Sequence, residues 1–167
     1  MRKTDFLQAV TAKKDTREGD HVYDLKPMRE VVDTCQEGDY QLLNSDLISL
    51  ERKTLPDLIG SISRERARLE RELKRLRQFQ YRALIIEASM EDILQHRYRS
   101  QMESHAVIQS LCAFSIRYGL PVWFCGDRRG GEYITKSLLL KMAREQFKNF
   151  TAITTQASTT KDCTNGY

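Results

Sequence analysis

An α/β architecture, with a mixed central sheet flanked by helices, follows from three patterns in this 167-residue chain. Apolar runs of strand length, at 82–88 and 120–125, alternate with longer stretches whose apolar residues recur every three or four positions. Two further runs, at 40–43 and 47–52, are joined by Asn44-Ser45-Asp46 and read as a hairpin. Helices between strands impose parallel pairing and a hairpin imposes antiparallel pairing, so the sheet is mixed.

Taken in order, residues 5–13 form a first strand, closed by Lys13-Lys14, and Gly19 to Pro27 form a loop. Residues 29–35, with Val31 and Val32, precede the hairpin as a further strand. At Leu55 the period changes: Leu55, Leu58, Ile59, Ile62, Leu69, Leu73 and Leu76 mark a long amphipathic helix to about Phe79, interrupted near Ser61 to Ser63. Thr54 serves as its N-cap, with Pro56 in the first turn and Asp57 three residues after the cap. Short and long helices follow at 90–96 and 103–118, the second stopped by Gly119 and Pro121, and a last helix begins near Gly131. Residues 1–150 make one domain, and the polar, aperiodic stretch 151–167 is read as a disordered tail.

Composition narrows the class. With 40% hydrophobic and 30% charged residues the chain is an ordinary folded domain, and it lacks an apolar run of about 18 residues or a secretion signal, so a cytoplasmic setting is expected. Cys35, Cys112, Cys125 and Cys163 are scattered without C-x-x-C or histidine spacing, which points away from zinc and disulfides. The net charge is only +4, yet Arg64 to Arg77 holds seven basic against three acidic residues. A run of this kind is often a solvated face laced by ion pairs; just after a candidate catalytic strand it is also placed to follow a phosphate backbone, through Arg64, Arg66 and Arg68.

The chemistry gathers at Gly38-Asp39-Tyr40, Glu51-Arg52-Lys53 and Asp57. Residues two apart on a strand share a face, so Glu51 and Lys53 point together and Arg52 points the other way. A hairpin turning at 44–46 brings Asp39 opposite residues 51–53. Two carboxylates brought close repel, and a cation between them relieves the repulsion. Magnesium, which takes one or two carboxylates plus water and phosphate oxygens, suits such a site, with the lysine beside the attacking water and the phosphate. Alone, Gly-Asp is a turn and Glu-x-Lys a solvated strand face; the elements gain meaning from occurring together at a spacing a hairpin can close. Asp57 either completes the helix start or supports the site.

These residues, preceded by Asp15-Thr16-Arg17-Glu18, resemble the G-D…E-R-K-x-x-x-D signature and upstream D-x-R-E of the xeroderma pigmentosum group F, Mus and archaeal Hef nucleases, over roughly residues 10–148. The resemblance implies a restriction-endonuclease-like core and a divalent-metal-dependent DNA endonuclease, using magnesium or manganese. It also implies branched DNA as substrate, a homodimer, and work in repair, recombination or phage DNA processing, in a nucleus if the host is eukaryotic. It implies Asp39, Glu51 and the Arg52 carbonyl as metal ligands, Lys53 as the catalytic lysine, Asp15 beside the metal with Glu18 or Arg17 assisting, and Asp57 in support. Thr11-Ala12-Lys13-Lys14 is less apolar than the family's strand before D-x-R-E, so that strand is expected at an edge or with a different start. No helix-hairpin-helix or helicase module is expected, which leaves junction preference to the dimer, the basic helix (with Arg17 nearby) or a partner. The competing reading is a catalytically inactive DNA-binding scaffold subunit; retention of every motif residue favours the enzyme.

Overall fold

The computed structural model describes residue 6 and residues 8–162, with backbone alone over 20–21 and 153–162. Six strands form one sheet: β1 (Thr11–Lys14), β2 (Arg29–Val32), β3 (Tyr40–Leu42), β4 (Ser45–Thr54), β5 (Tyr81–Glu87) and β6 (Val122–Phe124). Their order is β2-β1-β3-β4-β5-β6. The β1–β3 and β3–β4 pairs are antiparallel, whereas β1–β2, β4–β5 and β5–β6 are parallel. The helices are α1 (Leu55–Ser63), α2 (Arg66–Leu76), α3 (Met90–Leu94), α4 (Ser104–Tyr118) and α5 (Arg128–Asp162), with a 3-10 helix over Thr16–His21. No described helix is long and apolar enough to cross a membrane.

Strand alternation divides the core in two. Leu84 and Ile86 of β5 face α1, α2 and α4, where Leu58, Ile62, Leu69, Leu73 and Phe114 are buried. Ile48 and Leu50 of β4, with Ala83 and Ile85 of β5, face the other way onto Tyr23, Tyr40 and Leu139 of α5. Odd residues of β4 therefore share the α1–α2 face, and even residues share the α5 face.

Several elements depart from the sequence reading. The first strand starts at Thr11 rather than residue 5, while residues 1–5 and 7 lie outside those described. It is no edge: β1 is paired on both sides, and Lys14 is accommodated because its ammonium pairs with Glu30 at 2.8 Å and donates to the Tyr23 carbonyl. The segment 29–35 is strand only to Val32. The long helix is broken at Arg64–Glu65, just past the expected serines, where both amides converge on the Gly60 carbonyl at 2.9 and 3.3 Å. The last helix starts at Arg128, its first turn capped by Asp127, whose carboxylate accepts the Gly130 amide at 2.8 Å. It then continues to Asp162 through residues read as disordered; residues 163–167 lie outside those described.

Candidate active site

The hairpin register positions the motif. Tyr40 pairs with Leu50, so Asp39 stands beside Glu51 at the mouth of the sheet, its amide donating to the Leu50 carbonyl at 2.8 Å. On its other side the Asp15 amide donates to the Asp39 carbonyl at 2.9 Å. Asp15 follows β1, Asp39 precedes β3 and Glu51 lies on β4, so the three acids come from three neighbouring strands. The Arg52 amide donates to Asp39 Oδ2 at 2.7 Å, which ties the carboxylate to β4. Gly38 makes this approach feasible, since its φ of 73° is left-handed and a Cβ there would meet Ser49 Oγ and, at 2.8 Å, the Leu50 carbonyl oxygen.

Glu51 and Lys53 leave the same face, and Lys53 Nζ reaches Glu51 Oε1 at 2.6 Å. Burial, then the charges of Glu51 and Glu18, push the Asp39 carboxyl well above the usual range. Burial also raises the Glu51 carboxyl, against the pull of Lys53. For Lys53 burial opposes the charge, but Glu51, Asp39 and Glu72 outweigh it and hold the ammonium above its ordinary value. The site therefore holds two crowded carboxylates that gain from a further cation, and one committed cation.

Arg52 takes the opposite face. Its guanidinium donates to both oxygens of Glu87, at 2.7 and 3.2 Å, and to Glu18 Oε2 at 2.9 Å, and it lies 5.4 Å from the Tyr23 ring centroid. Asp15 is fully buried with both oxygens engaged: Oδ1 accepts the Arg17 amide and Nε at 2.7 Å, and Oδ2 accepts Arg17 Nη2 at 2.9 Å and the Cys35 amide at 2.8 Å. Burial opposes its charge, yet Arg17 and these amides hold its carboxyl below the usual carboxylate range. Asp57 sits at the helix start, where the Thr54 hydroxyl accepts the Asp57 amide at 3.3 Å and lies 2.6 Å from the Asp57 carboxylate.

A cleft of about 220 Å³ joins Arg17, Glu18, Asp39, Glu51, Lys53 and Arg68. Arg66 is turned elsewhere, onto Ser110 at 2.9 Å and over the Phe114 ring. Arg64 lines a neighbouring cavity that also contains Lys53 and Asp57. Sequence reasoning missed Glu37, Glu72 and Arg75, which complete the cleft wall. Glu72 and Arg75 share a stripe of α2 with Arg68, a spacing that marks a charged face but not what that face docks against, and Glu37 carries no such pattern.

The ERCC4 domain model matches residues 10–136. The chain belongs to the ERCC4 domain family. This is a family of nucleases that process DNA structures, generally endonucleases and typically dependent on a divalent metal. No curated protein matches the sequence. Among solved structures the chain is similar to XPF from Aeropyrum pernix, at 22% identity and a TM-score of 0.64, covering 88% of this chain and 73% of that one. A structure of XPF from Aeropyrum pernix in complex with DNA gives 23% identity and a TM-score of 0.66, covering 81% and 66%. These likenesses carry the restriction-endonuclease-like fold. Within this ERCC4 domain the donor set is lean: no group of three or more His, Cys, Asp or Glu side chains converges among the described residues. Two carboxylates with room for water and phosphate oxygens are nonetheless the set that magnesium takes.

Proposed function

We propose that this ERCC4 domain is a divalent-metal-dependent DNA endonuclease that hydrolyses phosphodiesters in branched DNA, with magnesium, or manganese in its place, held by Asp39 and Glu51. The observation that carries the reading is the juxtaposition of these two acids, both raised above their usual range, with a cationic Lys53 2.6 Å from one of them. When bound, the metal supplies Lewis acidity at the scissile phosphate. Lys53 hands its contact from Glu51 to the substrate, where it orients the attacking water and offsets charge on the phosphate. The Arg52 main chain fixes Asp39 through its amide and offers its carbonyl as a further ligand, while the Arg52 side chain anchors the strand from behind. Asp15 holds Arg17 at the cleft wall; acting directly on a metal would require that contact to exchange. Glu18 adds negative charge beside Asp39, and Asp57 shapes the start of α1.

Homodimerisation belongs to the same reading, supported by exposed apolar side chains on the last two helices, Ile116, Tyr133, Phe147 and Phe150. Recombination, repair or phage DNA processing are the settings it suits. The test is cleavage of labelled fork, flap, four-way and linear DNA with magnesium, manganese or EDTA. Wild type should cut with metal only, and Asp39→Asn and Lys53→Ala should lose cutting. Activity unchanged in those variants would mean a contaminant. Binding without cleavage in any metal would favour the scaffold reading. In the same preparation a single 19.5 kDa species with full activity would remove the dimer.

A further inference from the structure

Helix α1 has a second lined surface beyond the cleft. A groove of about 970 Å³ lies between α1, at Pro56 and Ile59, with its C-cap Arg64, and the segment from Arg97 to Met102. It shares Pro56, Gly60 and Arg64 with the cavity that reaches Lys53, so the two adjoin along one stripe of residues. Those three residues are four apart on one helical stripe and rise about 12 Å along α1. That length matches roughly three to four nucleotides of a strand at the duplex rise.

The charge of the groove differs in kind from that of the cleft. Each cleft arginine already has a carboxylate: Arg17 has Asp15, Arg68 has Glu65 and Glu72, and Arg75 has Glu37. An incoming phosphate there must displace an anion. The groove is lined by Arg64, Arg97 and Arg99 and by no carboxylate side chain. Arg97 leans on Asp92 at 2.9 Å, whereas Arg64 and Arg99, both exposed, form no ion pair among the described residues. The arginine-bearing segment is fixed. Tyr98 Oη donates to the Met102 carbonyl at 2.8 Å, the Met102 amide donates to Ser100 Oγ, and Tyr98 and Met102 pack on the core. The backbone of this segment therefore needs little ordering on binding, and the cost falls on the arginine side chains.

We propose that this groove binds the phosphate backbone of a single DNA strand leaving the cleft, with Arg64 and Arg99 as its principal contacts and Arg97 beside them. The proposal rests on the nuclease reading and adds to it where the domain holds the unpaired arm of a branched substrate. The adjoining Lys53 cavity and the surplus of cations without a carboxylate partner favour this occupant.

The test is fluorescence anisotropy in EDTA, so that binding is read without cutting, on a fork with one single-stranded arm and on its blunt duplex. Losing two phosphate contacts should lower the salt slope on the fork by about 1.4, which is about 25-fold in affinity at 0.1 M salt. Arg64→Ala with Arg99→Ala should show this loss on the fork and leave the blunt duplex unchanged. The Arg64→Lys, Arg99→Lys variant keeps both charges and should retain the slope. An unchanged slope in the alanine variant, with wild type cutting normally in magnesium, would overturn the groove and leave the nuclease standing. A wild type that neither binds nor cuts would remove the nuclease reading and this one with it. Tighter binding of poly-glutamate than of a single strand of equal charge would assign the groove to an acidic protein segment instead, against the proposal.

Discussion

Glu87→Ala tests how β4 is held. Glu87 closes β5, shares the α5 face with Arg52, and takes two of the three guanidinium contacts made to carboxylates. Both side chains are only 9% exposed, so truncation leaves a cation largely out of water. Breaking a buried pair in this way costs about 3–5 kcal/mol. Glu18 stays at 2.9 Å and neutralises part of the orphaned charge, which places the expected loss near the lower end, about 3 kcal/mol. For a domain of this size that is a fall of about 6–12 °C in unfolding temperature. Urea unfolding at pH 7, extrapolated to water, should give the loss with an unchanged m-value. Glu87→Gln, which keeps an acceptor, should lose less. A loss below about 1 kcal/mol for Glu87→Ala would refute the claim that this pair anchors the strand.

Gly38→Ala should destabilise by about 2–5 kcal/mol, because it combines a left-handed residue with overlap against the Leu50 backbone. Gly119→Ala shares the left-handed φ but meets only the flexible end of Arg82, so about 1–2 kcal/mol is expected; denaturant curves giving the reverse order would contradict the packing argument. Asp92 is held to about 2 by the Ser89 hydroxyl and amide and by Arg97. Its folded pKa lies below the unfolded value, so its stabilising contribution is present above about pH 4 and is lost as pH falls through about 2. NMR titration of the Asp92 carboxyl should show this, with Ser89→Ala moving the midpoint upward; an unmoved midpoint would rule out the cap as the cause.

The sheet was legible wherever local pattern and tertiary demand agreed. The run from Ala83 to Ile86 is buried on both faces and reads as a strand from any direction. The hairpin announced itself through Asn44, whose φ of 62° is the turn's requirement. Lys13 and Lys14 misled, because an interior strand tolerates a lysine only when Glu30 waits across the sheet, and nothing local encodes that pairing. Tyr23 and Leu25, inside a stretch read as a loop, are fully buried for a similar reason: the irregular chain after the 3-10 helix folds over the α5 face, a purely long-range outcome. At the site, Asp39, Glu51 and Lys53 followed from alternation and hairpin closure. Glu72 and Arg75 did not, since their approach depends on how α2 docks rather than on spacing within one element.

The alternation of Glu51, Arg52 and Lys53 also guards the hairpin against its own errors. A slip of one residue in the β3–β4 pairing turns every side chain of β4 to the opposite face. Ile48 and Leu50 would leave the α5 core, the Glu51 carboxylate would enter it beside Glu87, and the Arg52 guanidinium would swing into the cleft. Exposing the two apolar side chains and burying the carboxylate are each unfavourable, and a single slip incurs both. The tripeptide that gathers Glu51 and Lys53 in the cleft therefore also proofreads the assembly of its own strand.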